Sequence, residues 1–182
     1  MNIAAQPPVQ ADQTVYLKDY QKPSFLVESI NLDIQVYDDK TIVDSTLVMK
    51  RQTAGDLVLL GRDLELQSIQ LNGQDLTPAQ YSLDSEQLVI TDAPDEVILQ
   101  TQVIIHPETN TQLEGLYKAD ELFVTQNEPE GFRKITFYPD RPDVLSVFTT
   151  RVEADKKYPV LLANGNLLET GEVGENRHFA IW

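Results

Sequence analysis

The stretch TQNEPEGFRKITFYPDRPDV, residues 125–144, gathers more chemistry than any other part of this chain. The preceding residues make ELFVTQNE read as a strand, with Val124, Gln126 and Glu128 on one face and Thr125 and Asn127 on the other. Pro129 then ends the ladder, because proline has no backbone N–H to donate. A glutamine and a glutamate adjacent on one face make a compact acceptor set: a carboxylate that offers charge and an amide oxygen that offers a further lone pair. An ammonium, with three donors and one positive charge, is the group that such a set suits. The plain alternative is two polar side chains facing water, and strand geometry alone leaves both open. Around this pair, Glu130 is expected to be solvated, and Arg133 to offer its planar fork to Asp140. Phe132, Phe137 and Tyr138 are expected in the core.

Other chemistries lack their parts. A hydrolytic zinc site needs about three protein ligands and an open position. The chain has two histidines, His106 and His178, and neither stands in an H-E-x-x-H spacing; both read as structural or surface residues. There is no cysteine, no G-x-S-x-G and no phosphate-binding glycine loop. Nothing selects a sugar-hydrolysing pair among the 29 acids. No residue is therefore assigned as catalytic and none as a metal ligand. The net charge of −15 argues against nucleic acid as a partner, since that requires clustered lysine and arginine. The acidity reads instead as colloidal solubility. No apolar run approaches the roughly 18 residues of a membrane span, so no membrane partner is expected. The opening MNIAAQPPVQADQ lacks the basic head and apolar stretch of a signal peptide. With the absence of cysteine, this gives a cytoplasmic expectation.

The elements that must position the pair are strands. Residues 1–13 read as a disordered lead-in, polar and with adjacent prolines. Residues 14–182 read as a single β domain. Ile30, Leu32, Ile34 and Val36 alternate with polar residues, and Val43, Ser45, Leu47 and Met49 begin the antiparallel return after YDDK. LVLL at 57–60, LELQSIQL at 64–71, QLVI at 87–90 and EVILQTQVII at 96–105 continue the series. A slip of phase between Leu66 and Ile69 predicts a β-bulge. Asn72-Gly73 and Asn164-Gly165 are hairpin signals, and GENR at 174–177 predicts another reversal. DRPDVLS, with Asp140 as N-cap, is the best candidate for a helical turn. The expected fold is all-β, a twisted antiparallel sandwich with at most short helical turns. The apolar end RHFAIW predicts a truncated chain, cut before a partner strand.

The run from TQNEPEGFRKITFYPDRPDV through LSVFTTRVEADKKYPVLLANGN resembles the N-terminal domain of the aminopeptidase N family, the bacterial alanyl aminopeptidases. NTQLEGLYK, YLKDYQKPSF and GENRHFAIW extend the likeness from about Tyr16 to Trp182, weakest between residues 40 and 100. The resemblance implies a saddle-like β domain packed against a thermolysin-like catalytic domain of the same polypeptide. That missing domain would carry zinc, the H-E-x-x-H ligands and a G-A-M-E-N motif, none of which occurs here. The chain would then be an inactive fragment of a zinc aminopeptidase, with no cofactor of its own. In the family's Q-x-E element, glutamine and glutamate contact the free N-terminus and first residue of the peptide substrate. These match Gln126 and Glu128. By implication Glu128 anchors the ammonium and Gln126 lines the pocket for the first side chain. The competing reading is a stand-alone β-sandwich interaction module of the same ancestry.

Overall fold

A computed structural model describes residues 16–182; the lead-in expected at 1–13 lies outside the described residues. Thirteen strands follow one another: β1 (Phe25–Val36), β2 (Thr41–Arg51), β3 (Leu57–Leu60), β4 (Glu65–Leu71), β5 (Gln74–Asp75), β6 (Ser82–Leu83) and β7 (Gln87–Ile90). Then come β8 (Glu96–Ile105), β9 (Gly115–Ala119), β10 (Leu122–Gln126), β11 (Val147–Asp155), β12 (Glu169–Val173) and β13 (Arg177–Ile181). Among the described residues the helical elements are single 3₁₀ turns, at Leu17–Asp19, Pro107–Thr109 and Phe132–Lys134.

Eight strands form one sheet in the order β12-β13-β11-β1-β2-β8-β4-β5. A three-stranded sheet, β3-β7-β6, covers part of it, and β9 and β10 form a separate hairpin. The alternation read from the sequence sets the buried face. Along β2, Val43, Ser45, Leu47 and Met49 are all buried, and their neighbours are partly exposed. Leu57, Leu59, Leu88 and Ile90 of the small sheet join Ile30, Val97, Leu99 and Val103 of the large one in a single apolar cluster. Each such fully buried aliphatic chain contributes about 1.5–3 kcal/mol of transfer free energy. Ser45 and Thr101 face each other across β2 and β8, and their hydroxyls bond at 3.1 Å, so neither buried oxygen is left unpaired.

Several local expectations hold. The β4–β8 register shifts between Leu66 and Ser68, the predicted bulge. Asn72 and Gly73 take φ values of 51° and 77° between β4 and β5, as a type I′ hairpin requires. Gly174 turns the β12–β13 hairpin at φ 59°. Others fail. β1 pairs with β11 in parallel, so the sheet is mixed and not wholly antiparallel. Asn164-Gly165 makes no hairpin and sits in the irregular segment between β11 and β12. The turn after Asp140 is not helical. β13, expected to lack a partner, pairs with β11 on one side and β12 on the other.

Candidate functional site

The β9–β10 hairpin pairs Gln126 with Gly115 at its open end. β10 stops at Gln126, two residues earlier than the alternation suggested, so Glu128 lies in a bend and not on the strand face. The peptide between Glu128 and Pro129 is cis. A different contact joins the pair: the Gln126 side-chain amide donates from Nε2 to the Glu128 carbonyl oxygen at 3.1 Å. That bond fixes the amide's sense and leaves Oε1 as a free acceptor. Both side chains are exposed. Among the described residues, no ion pair or side-chain hydrogen bond engages the Glu128 carboxylate.

The bend is built from below. Gly131 has φ 144°, and a Cβ there would stand 2.7 Å from the Gln126 carbonyl oxygen. Only glycine lets the loop fold back against the end of β10. Asp140, 7% exposed, closes the loop. Its Oδ2 accepts the backbone N–H of Gly131 at 3.0 Å, that of Arg133 at 3.2 Å, and Arg133 Nε at 2.8 Å. Arg133 Nη2 also donates to the Asp140 carbonyl at 3.0 Å and pairs with Glu130 at 2.8 Å. The expected Arg133–Asp140 pair is therefore present, and Glu130, exposed as expected, adds a second acid to it. These charge-assisted bonds are the stronger kind.

Beyond the loop, the chain is pinned to the core. Leu60 and Tyr138 exchange backbone bonds of 2.9 and 3.1 Å. Phe137 is 1% exposed, lodged where any side chain at Gly61 would collide with its ring. Phe132 packs edge-on against Tyr138 and Phe148, with centroids at 5.0 and 5.7 Å. Phe137 and Tyr138 are thus core residues, and Phe132 packs against the core while partly exposed. The buried Lys134 directs Nζ to Asp63 at 2.9 Å and to Gln112.

Neither histidine sits at the site. His106 places Nδ1 3.1 Å from both the Asp39 carbonyl and Glu108, and Nε2 3.0 Å from Glu65. His178 Nε2 lies 2.8 Å from the Tyr158 carbonyl. No cluster of histidine, aspartate and glutamate able to hold a metal exists among the described residues. Beside the bend runs a groove of about 1300 Å³, with Phe123, Phe148, Tyr158 and Leu162 among its walls. Apolar side chains are open to solvent here and near its mouth, including Leu122, Leu145, Val147 and Leu162.

What sequence reasoning missed at this site is that Asp140, expected to pair with Arg133 and to cap a helical turn, instead of capping a helix accepts the backbone amides of Gly131 and Arg133. The available signal was the glycine at 131, whose amide needs an acceptor once the chain turns there.

Residues 20–182 match the model of the Peptidase M1 N-terminal domain. Aminopeptidase N of Caulobacter vibrioides is 44% identical over 173 residues, covering 93% of this chain and 20% of that protein. Aminopeptidase N of Escherichia coli is 41% identical over 176 residues, covering 95% and 20%. The crystal structure of Legionella pneumophila aminopeptidase A in complex with aspartic acid superposes with a TM-score of 0.85 at 30% identity, covering 91% of this chain and 20% of that one. An M1 zinc metallopeptidase from Deinococcus radiodurans, at 19% identity and a TM-score of 0.71, shares the fold over 87% of this chain and 39% of its own. The chain spans about a fifth of the length of the curated relatives it matches. With the all-β fold and the matched extent from residue 20 onward, the chain belongs to the family of peptidase M1 N-terminal domains.

Proposed function

We propose that this chain forms one wall of the substrate cleft of a zinc aminopeptidase and holds the free amino terminus of a peptide. The observation that carries this is the Glu128 carboxylate, exposed at a built bend and free of any cation among the described residues, beside the acceptor oxygen of Gln126. Such a carboxylate pairs with a terminal ammonium and gains nothing from an acylated terminus, which would leave it desolvated and unpaired. That difference is what an exopeptidase needs in order to ignore internal amides. Gln126, held through its Nε2, lines the position of the first side chain.

The peptide-cleaving chemistry belongs to another part of the polypeptide. The described residues do not fit zinc, because they offer no ligand cluster; metal-supported hydrolysis is assigned to a catalytic domain of the same polypeptide. The groove and its open leucines support such a neighbour, since apolar patches of this kind mark surfaces that are covered in the assembled protein. No helix among the described residues is long and apolar enough to cross a membrane. The cysteine-free composition suits a reducing compartment, and we assign the protein to the cytoplasm.

The test is Glu128→Gln in the intact polypeptide that carries this chain, assayed on L-alanine 4-nitroanilide with zinc content measured alongside. The expected result is a loss of about two decades in kcat/KM at unchanged zinc content. An unchanged kcat/KM would remove Glu128 from the site.

A further inference from the structure

The site has a hazard of its own making. Arg133 lies five residues from Glu128 on the same loop, and an arginine released there would be a competitor for the carboxylate that is meant for a ligand. The structure shows where that guanidinium is spent. Nε goes to Asp140 Oδ2 at 2.8 Å, and Nη2 goes to the Asp140 carbonyl at 3.0 Å and to Glu130 at 2.8 Å. The Arg133 side chain is 14% exposed and that of Asp140 is 9% exposed, so the pair is largely shielded from water. The same Asp140 oxygen takes the amides of Gly131 and Arg133, which shape the bend itself. Three of these bonds, from the Gly131 and Arg133 amides and from Arg133 Nε, converge on one carboxylate oxygen seven to nine residues downstream.

We propose that Asp140 is a positioning residue for the Gln126–Glu128 site, one that sequesters Arg133 and so keeps Glu128 free for an ammonium ligand. This rests on the reading of Glu128 as the amine anchor. Its physical content is an exchange of partners. With Asp140 present, Arg133 satisfies two other acids and a carbonyl, and the anchor keeps its charge uncompensated. With Asp140 made neutral, the guanidinium loses its best acceptor, and Glu128 is the acid on the loop that holds no cation among the described residues. Glu130 alone does not hold it, because that carboxylate is 56% exposed and water screens the pair.

The experiment compares Asp140→Asn, Arg133→Met and their double variant in the intact polypeptide, with L-alanine 4-nitroanilide as the probe and melting temperature as the check on folding. Asp140→Asn is expected to raise KM about tenfold with a smaller change in kcat, because the ground-state contact to the ammonium is what is competed away. Adding Arg133→Met to Asp140→Asn is expected to bring KM back towards the parent value, since the competitor is gone. A purely structural role predicts the opposite, a double variant at least as impaired as the single one, and that result overturns the proposal. So does a parental KM in Asp140→Asn. If Asp140→Asn does not fold, Arg133→Lys carries the test. Its compact ammonium cannot span Asp140 and Glu130 together, so KM should rise at an unchanged melting temperature, and a parental KM counts against the proposal. Glu128→Gln on the same probe separates the two layers. If it has no effect, the anchor reading itself fails; if it impairs turnover while Asp140→Asn does not, only the role of Asp140 fails.

Discussion

Arg177 and Glu153 meet diagonally across adjacent strands of the large sheet, where Glu153 stands opposite Phe179 and Arg177 opposite Asp155, with Nε of the arginine 2.7 Å from Oε1 of the glutamate. Glu153 Oε2 accepts from Arg151 at 2.6 Å, and Arg151 in turn bonds Asp33 at 2.7 Å. The Arg177 fork also reaches the Val36 carbonyl at 3.2 Å, and its plane lies over the Tyr37 ring at 4.1 Å. One buried carboxylate thus ties β13 and β11 to each other, and its arginines carry the tie on to β1. It is the lock of the half-sheet that no hairpin turn connects to β1.

Replacing Glu153 with alanine leaves two guanidinium groups facing a site without its acceptor. Breaking one side of a buried pair costs about 3–5 kcal/mol, and urea unfolding should show a loss in that range. The pH dependence follows from the same contacts. Burial by itself would raise the Glu153 pKa, but the hydrogen bonds from Arg177 and Arg151 outweigh it and hold the carboxyl below its ordinary value of 4.5. Its contribution is complete above pH 4.5 and is lost as pH falls through the lower folded value. Parent and Glu153→Ala stabilities should therefore converge in acid; a constant gap between pH 6 and pH 2.5 would contradict this.

His106 should behave with the opposite sign. Burial lowers its pKa, but the Asp39 carbonyl, Glu65 and Glu108 together raise it above the ordinary 6.5. Both ring nitrogens face acceptors, an arrangement that only the imidazolium can satisfy as donor on each side. Its contribution is fully present below pH 6.5 and disappears as pH rises through the folded pKa. An NMR titration of the ring protons should give a value above 6.5, reduced by Glu65→Gln. A parental value in that variant would show that the Glu65 contact carries no weight.

Gly131→Ala isolates the close approach beneath the site. The residue combines φ 144° with a Cβ position 2.7 Å from the Gln126 carbonyl. Strain of this kind costs about 1–3 kcal/mol, and the displaced bend should also lower kcat/KM in the intact polypeptide. Gly165→Ala is the control, since Gly165 has φ 101° with nothing within 4 Å of its Cβ position. Equal losses of stability and activity in the two variants would mean that the contact with Gln126 is unimportant.

Gln126→Ala removes the Nε2 bond to the Glu128 carbonyl and, on the proposed reading, the acceptor that lines the position of a peptide's first side chain. On a panel of alanyl, leucyl and arginyl 4-nitroanilides, the expected outcome is a kcat/KM lower by about tenfold with a changed order of preference. A uniform loss that preserves the order would reduce Gln126 to a support for the loop.

The strands of the sheet and their buried faces were legible in the sequence, because strand alternation repeats every two residues and depends only on near neighbours; the Gln126–Glu128 pair was singled out by a family resemblance, since strand geometry left it open. Val43, Ser45, Leu47 and Met49 show this: their burial follows from spacing alone. The Asn72-Gly73 turn is equally local, since its positive φ angles are a property of the two residues that adopt them. Tertiary structure decided the rest. The parallel pairing of β1 with β11 joins Ser29 to Val147, and no local signal spans that separation. Glu128 left the strand face because the loop is drawn down by Asp140, whose carboxylate found the amides of Gly131 and Arg133 in place of a helix to cap. An acid near a turn can satisfy many donors. Which ones it meets is settled only when the core around Phe137 and Tyr138 brings the distant segments together.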